Sequence, residues 1–269
     1  MKYLKAMSYY PERIICLTEE TTELLYLLGQ EHRIIGISGF TKRPKRARKE
    51  KPIVSAFVEA NIQKIIDLKP DLVVGFSDIQ SDIAKKLIQK GINVWINNQR
   101  TITEIKSFIV QMGSLVGSYD ESLALVEKFD SKVSQIKKIT DQWNRKPRIY
   151  FEEWDDPIIT GIAWVSELIE LAGGEDIYKD QSHNSLAKDR IISNPKDIIE
   201  LQPDIILVSW CGKKFKKDTI TTRDGWNKIN AVKNDNLFEI KPEIILQPGP
   251  ASLFDGLDIL HKTFLKYIS

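Results

Sequence analysis

Ile65-Ile66-Asp67-Leu68-Lys69-Pro70-Asp71-Leu72-Val73-Val74 returns 133 positions later as Ile198-Ile199-Glu200-Leu201-Gln202-Pro203-Asp204-Ile205-Ile206-Leu207. Each copy reads as the end of an amphipathic helix, a Pro-Asp turn and an uninterrupted apolar run. Proline cannot continue a helix, so it marks the stop. An apolar run without alternation is the pattern of a strand covered on both faces, as in a parallel sheet. A second pair, Pro11-Glu12-Arg13-Ile14-Ile15 and Pro147-Arg148-Ile149-Tyr150-Phe151, is separated by 136 positions. Behind each comes a helix closed by glycine, at 21–29 and 164–173. Glycine just past the last turn is the common left-handed stop. Two nearly equal offsets predict a duplicated α/β unit.

Working outward, strands are predicted at 13–17, 33–37, 71–75 and 92–96, with helices near 21–28, 61–68, 79–89 and 103–116. The second half carries strands at 148–152, 204–209 and 236–240, and helices near 164–172, 195–201 and 251–267. Such alternation predicts parallel sheets with right-handed crossovers. Between the halves, Ser118 and Glu121 have capping-box spacing. Leu123, Val126, Phe129, Val133, Ile136 and Trp143 then recur at threes and fours, with Thr140 filling the remaining step, which predicts one amphipathic helix of about 25 residues, roughly 37 Å long. The expected fold class is α/β: two lobes, each with a mainly parallel sheet flanked by helices, bridged by one long rigid α-helix. The expected boundaries are an N-terminal α/β lobe at 1–117, a bridging helix at 118–144 and a C-terminal α/β lobe at 145–269.

Composition excludes several classes. The chain has 269 residues, 42% hydrophobic and 28% charged, so collagen-like, disordered and coiled-coil chains are out. A net charge of +2 is too balanced for a chain devoted to nucleic acid. Cys16 and Cys211 cannot build a disulfide framework or a four-cysteine metal site. His32, His183 and His261 are not at ligand spacing, which disfavours a bare metal ion. No segment reaches the roughly 18 to 20 apolar residues of a membrane span. Residues 1–8, Met1-Lys2-Tyr3-Leu4-Lys5-Ala6-Met7-Ser8, bring lysines without an apolar stretch behind them. That predicts no secretory signal and a cytoplasmic location, or a periplasmic or membrane-anchored one if a leader was removed.

In open α/β sheets, ligands lie outside the carboxyl ends of the strands. In the first half this places Glu19, Phe40, Phe76, Ser77, Asn98 and Arg100 as candidate ligand-binding residues. In the second half it places Glu153, Trp154, Trp210, Cys211, Lys213 and Pro248, with Trp164 beside them. Aromatic walls with a few amide and charged groups suit a large, partly apolar ligand. Glu152-Glu153-Trp154-Asp155-Asp156 holds four carboxylates in five positions. It could serve acid/base chemistry or a hard cation, but no second acidic cluster accompanies it. Lys213 and Lys214 could meet ligand carboxylates or phosphates. Cys211 and His183 are candidate axial ligands to a chelated metal. The run from Lys42 to Lys51 has seven basic residues in ten and reads mainly as a solvated loop.

The opening Pro11-Glu12-Arg13-Ile14-Ile15-Cys16-Leu17, the phrase Leu68-Lys69-Pro70-Asp71-Leu72-Val73, Glu167-Leu168-Ile169-Glu170-Leu171-Ala172-Gly173-Gly174 and Pro248-Gly249-Pro250 resemble the class III substrate-binding proteins of metal-chelate importers. Within that family the resemblance is closest to cobalamin-binding proteins. It runs from about residue 11 to the C-terminus. It implies a non-catalytic protein that holds cobalamin or a related corrinoid between two lobes, with no covalent cofactor. A ferric siderophore or haem is the alternative chelate, with Arg100, Lys213 and Lys214 as the anion-binding set. An intracellular enzyme or cofactor-handling protein using the 152–156 acids is the alternative from another class. The resemblance also implies an ABC importer permease as partner, docked through a glutamate on each lobe. Gln63 and Lys196 stand at those positions, which predicts impaired docking, with Glu59 and Glu200 close enough to substitute. A monomer without nucleic-acid partners is expected.

Overall fold

The computed structural model describes residues 9–268. In chain order the elements are β1 (Ile14–Cys16), α1 (Glu19–Leu27), β2 (Ile34–Ser38), α2 (Ala47–Glu50), β3 (Ile53–Ser55), α3 (Ile62–Asp67), β4 (Leu72–Phe76), α4 (Ser81–Ile88), β5 (Val94–Asn97), α5 (Ile102–Leu115) and α6 (Tyr119–Thr140). They continue as β6 (Arg148–Asp155), β7 (Ile158–Thr160), α7 (Ala163–Leu171), β8 (Glu175–Asp176), α8 (Lys179–Ser182), α9 (Lys196–Leu201), β9 (Ile205–Val208), α10 (Asp218–Thr221), α11 (Asn230–Lys233), β10 (Leu237–Glu239), α12 (Pro242–Ile245) and α13 (Leu257–Ile268). Two compact units result. Unit 1 takes the described residues up to Gln99 together with Thr103–Glu127; unit 2 takes Arg100–Ile102 and the described residues from Lys128 onward.

Unit 1 contains a five-stranded sheet in the order β3-β2-β1-β4-β5, parallel throughout. Its central strand β1 is wholly buried, as the unbroken apolar run requires. Ile15, Leu17, Val54, Ile65, Val73, Ile83 and Leu87 form one apolar cluster against it. Unit 2 contains β10-β9-β6-β7, with β8 also paired to β6. Here β9 and β10 run parallel to their neighbours, while β7 returns antiparallel on β6. Its cluster is larger and more aromatic, with Tyr150, Tyr178, Trp210 and Trp226 among its members.

The repeated phrase folds alike in both units. Lys69 and Gln202, each just before the proline, sit at φ 49° and φ 46°. Asp71 accepts from the backbone N–H groups of Glu12 and Arg13 at 2.7 and 3.0 Å. Asp204 accepts from Arg148 N–H at 2.9 Å. The Pro-Asp turn thus ties the start of one strand to the start of the adjacent one. The long helix is continuous over 22 residues, with Val126, Phe129 and Ile136 buried, and the division between the units falls within it.

Three short strands were not expected: β3, β7 and β8, of three, three and two residues. Strand β6 also runs past its expected end at 152, to Asp155. The pairing with β7 supplies the backbone partners that extend it. All of the acidic run but Asp156 therefore lies within a strand and not in a loop beyond one. The helix expected at 251–267 carries a π-turn over Ser252–Gly256 near its start.

Candidate functional site

In unit 1 the carboxyl ends of the strands carry Glu19, Phe40, Phe76, Ser77 and Asn98. Phe40 is 47% exposed and lines a groove of about 660 Å³ with Ile53, Ser55, Glu59 and Lys64. Ser77 and Asn98 line a second, mainly apolar groove of about 490 Å³ with Ile88 and Ile96. Glu19 opens α1 and accepts from Lys42 N–H at 3.1 Å. Phe76 is buried at the end of β4.

Ser77 is held in a conformation that L-residues avoid, with φ 61° and ψ 177°. That region is essentially the preserve of glycine and costs about 1–3 kcal/mol. Its N–H bonds Asn97 O at 2.7 Å, and its Oγ accepts from Ile79 N–H at 3.3 Å. Beneath it lies Gln80, fully buried and unforeseen in the sequence. Gln80 Oε1 accepts from Phe76 N–H at 2.9 Å, while Nε2 donates to Leu17 O at 3.3 Å and Phe57 O at 2.9 Å. One side chain thereby fixes the ends of two strands and the 56–61 turn. Gly75 makes the room, since a Cβ there would stand 2.5 Å from Gln80 Oε1.

Unit 1 also buries an acid. Glu20, 2% exposed, takes a hydrogen bond from Thr18 Oγ1 at 2.5 Å. Burial pushes its carboxyl up to about 7 against that hydrogen bond. Cys16 is buried nearby, and desolvation pushes its thiol to about 12, so it is an inert core residue.

In unit 2 three of the four carboxylates of the acidic run are each paired with a cation. Glu152, wholly buried, receives Arg223 through both oxygens at 2.6 and 2.8 Å and the Tyr150 hydroxyl at 2.9 Å. Burial still raises its carboxyl, with Arg223 acting in the opposite sense. Glu153 is gripped by Arg190 at 2.6 and 3.1 Å, and Arg190 is itself 2% exposed. Asp155 pairs with Lys213, whose ammonium also stands 5.2 Å from the centre of the Trp210 ring. The acid/base reading of this run fails on these contacts: each of the three carboxylates is neutralised by its own cation. Sequence reading missed Arg190 and Arg223 because they lie 37 and 71 positions from their partners.

The remaining expected residues of unit 2 divide by burial. Trp164 is 4% exposed and its indole N–H donates to Ile245 O at 2.9 Å; Trp210 is 1% exposed within the aromatic cluster. Both are buried side chains of unit 2. Pro248 is buried as well. Trp154 is half-buried, with its indole N–H on Asp156 O at 2.9 Å. Arg100 offers its carbonyl to Trp164 N–H at 2.9 Å. Cys211 is exposed and forms no disulfide, and His183 is exposed. His261 stacks on Trp143 at 5.9 Å. Among the described residues no group of three His, Cys, Asp or Glu side chains could hold a metal ion.

The basic run is a surface that pairs with its own neighbours. Arg43 meets Glu23 at 2.7 Å, and Arg46 meets Glu31 at 2.9 Å and Glu50 at 3.2 Å. Gln63 is exposed on α3 and donates to Asp67 at 2.7 Å; Lys196 opens α9 in the exposed state. Glu59 and Glu200 are exposed.

The fold, two α/β units with mainly parallel sheets flanked by helices, is that of a binding protein. The chain belongs to the periplasmic binding protein family, whose model matches residues 14–244. That is a family of substrate-binding proteins and not of enzymes. The chain is 29% identical over 259 residues to the uncharacterized ABC transporter substrate-binding lipoprotein YvrC of Bacillus subtilis, covering 93% of this chain and 79% of that one. It is 25% identical over 245 residues to the vitamin B12-binding protein of Vibrio parahaemolyticus, covering 90% and 86%. Among solved structures, a possible iron-binding, periplasmic solute-binding protein from Staphylococcus epidermidis superposes with a TM-score of 0.80 at 26% identity, covering 94% of this chain and 98% of that one. One relative is named a lipoprotein and the solved structure a periplasmic protein, so the cytoplasmic location expected from residues 1–8 is not supported. Those residues lie outside the described ones. No helix among the described residues is long and apolar enough to cross a membrane.

Proposed function

We propose that this chain is the substrate-binding component of an ABC importer and binds cobalamin or a related corrinoid. The carrying observation is electrostatic. Arg190, Arg223 and Lys213, the cations set among the strand-end residues of unit 2, are each already paired with a carboxylate. The strand ends of unit 1 offer an aromatic ring, a hydroxyl and an amide: Phe40, Ser77 and Asn98. Apart from Glu19, Arg100 and Lys214, such surroundings are nearly neutral. They suit a large chelate whose rim is methyl and amide groups, as a corrinoid's is, better than an anionic siderophore that needs unpaired cations. The vitamin B12-binding relative supports the same ligand. Lys213 accordingly leaves the anion-binding set, because Asp155 holds it.

Phe40, Ser77 and Asn98 of unit 1 are the residues of this reading that contact ligand. A ferric chelate is the second reading, favoured by the possible iron-binding structure. The names of the relatives support a location outside the cytoplasm, with a permease as partner. Gln63 and Lys196 then form part of a docking surface that lacks the expected glutamates. Incubating the purified chain with cyanocobalamin and passing it through gel filtration tests the ligand. Red colour should co-elute at one corrinoid per chain. A colourless protein peak, with calorimetric heat only on adding a ferric siderophore or haem, would move the assignment to that chelate.

A further inference from the structure

Unit 2 has a second concavity, at the other end of its sheet. Asn234, Asp235 and Asn236 directly precede β10, and they line a basin of about 530 Å³ with Phe238, Lys217 and the face of α13 that carries Lys262, Thr263, Lys266 and Tyr267. This is the amino end of the strands, away from Trp154 and Asp155 at the carboxyl end of β6. The volume lies within the range of small-molecule pockets.

The floor is built and rigid. The Tyr267 hydroxyl donates to Asp204 at 2.8 Å and accepts from Arg145 at 2.6 Å, and Arg145 stands 5.2 Å over the Tyr267 ring. Asn236 Nδ2 donates to Asp204 O at 3.1 Å. Asp235, in the left-handed region at φ 56°, is neutralised by Lys217 at 2.5 Å. That pairing leaves the basin with two positive charges. Lys262 and Lys266 make no ion pair among the described residues, and they stand one turn apart on one helix face. Like charges at this spacing repel, so the helix would gain from an anion set between them. Phe238, 37% exposed, gives the basin an apolar wall. An edge-strand phenylalanine beside two unpaired ammonium groups and two amides is the donor set for an anion attached to a flat ring.

We propose that this basin binds a small aromatic or nucleoside phosphate, with the phosphate on Lys262 and Lys266 and the ring against Phe238. The probes are adenosine monophosphate and inorganic phosphate, titrated into the full chain at low salt and followed by shifts of the Asn234 and Asn236 side-chain amide resonances. The monophosphate should saturate, and at least fivefold more tightly than inorganic phosphate. K262Q/K266Q should weaken it at least tenfold and F238A about fivefold. The two lysines are exposed, so the double variant should keep its thermal midpoint, which separates loss of binding from loss of fold. No saturation of the wild-type chain by about 10 mM monophosphate, equal affinity for the two anions, or unchanged binding by K262Q/K266Q would each overturn the assignment.

Discussion

The two units treat the carboxyl ends of their sheets differently. Unit 1 carries one carboxylate there, Glu19, and a strained backbone, with Ser77 in a glycine-like conformation above the buried Gln80. Unit 2 packs three carboxylates of one strand against three cations drawn from distant loops. Buried acids show the same contrast. Glu152 has Arg223 across both oxygens, whereas Glu20 forms no ion pair among the described residues and relies on the Thr18 hydroxyl. The difference teaches where each kind of stability resides: in unit 2 it rests on specific charge pairs, and in unit 1 on shape around a buried carboxyl that holds its proton up to about pH 7. Neither end presents an uncompensated charge from these residues to a ligand.

The largest expected effect comes from breaking the Glu152 pair. Glu152→Ala leaves the Arg223 side chain, 16% exposed, without its counter-charge, and denaturant unfolding should show a loss of about 3–5 kcal/mol. The same change at Glu23 of unit 1, whose partner Arg43 is 37% exposed, should cost about 1 kcal/mol or less. Equal losses at the two sites would erase the contrast.

Next is the pH dependence of unit 1. Glu20 rises from 4.5 to about 7 on folding, so between those values the folded chain holds a proton that the unfolded chain has released. Stability that is full below about pH 4.5 therefore declines as pH rises toward 7, by roughly 3 kcal/mol at most. Glu20→Gln should flatten this part of the stability profile when midpoints are compared from pH 4.5 to 8. An unchanged slope in the variant would place the proton elsewhere.

The smallest expected effect concerns backbone strain. Ser77→Gly should raise stability by about 1 kcal/mol, because glycine adopts the observed φ without penalty. Ser209, which follows β9 in unit 2 and has no positive φ, should lose about 0.5–1 kcal/mol on the same substitution. Opposite signs at the two serines would sharpen the contrast; a loss at both would remove strain from the account of Ser77.

Much of the fold was legible because the repeated phrase carries its own physics. Pro70 and Pro203 stop helices, Asp71 and Asp204 tie strand starts, and the apolar runs behind them are buried. Strands β3, β7 and β8 were not legible, since two or three residues carry no usable periodicity. The site was read less well. At strand ends an interior tryptophan such as Trp210 and a wall tryptophan have the same local sequence. The acidic run kept an acid/base alternative open because Arg190 and Arg223, which neutralise Glu153 and Glu152, reach it only through tertiary structure. Gln80 gave no signal, for its role depends on Gly75 being small and on Leu17 and Phe57 presenting carbonyls.

The most direct test of the central claim is a calorimetric comparison of cyanocobalamin with an anionic ferric siderophore, each at low and high salt. A nearly neutral set of strand-end groups predicts that cyanocobalamin binds with Kd at or below about 1 μM, more tightly than the siderophore, and that its affinity changes less than about threefold with salt. Tighter binding of the siderophore, with affinity falling steeply as salt rises, would contradict it.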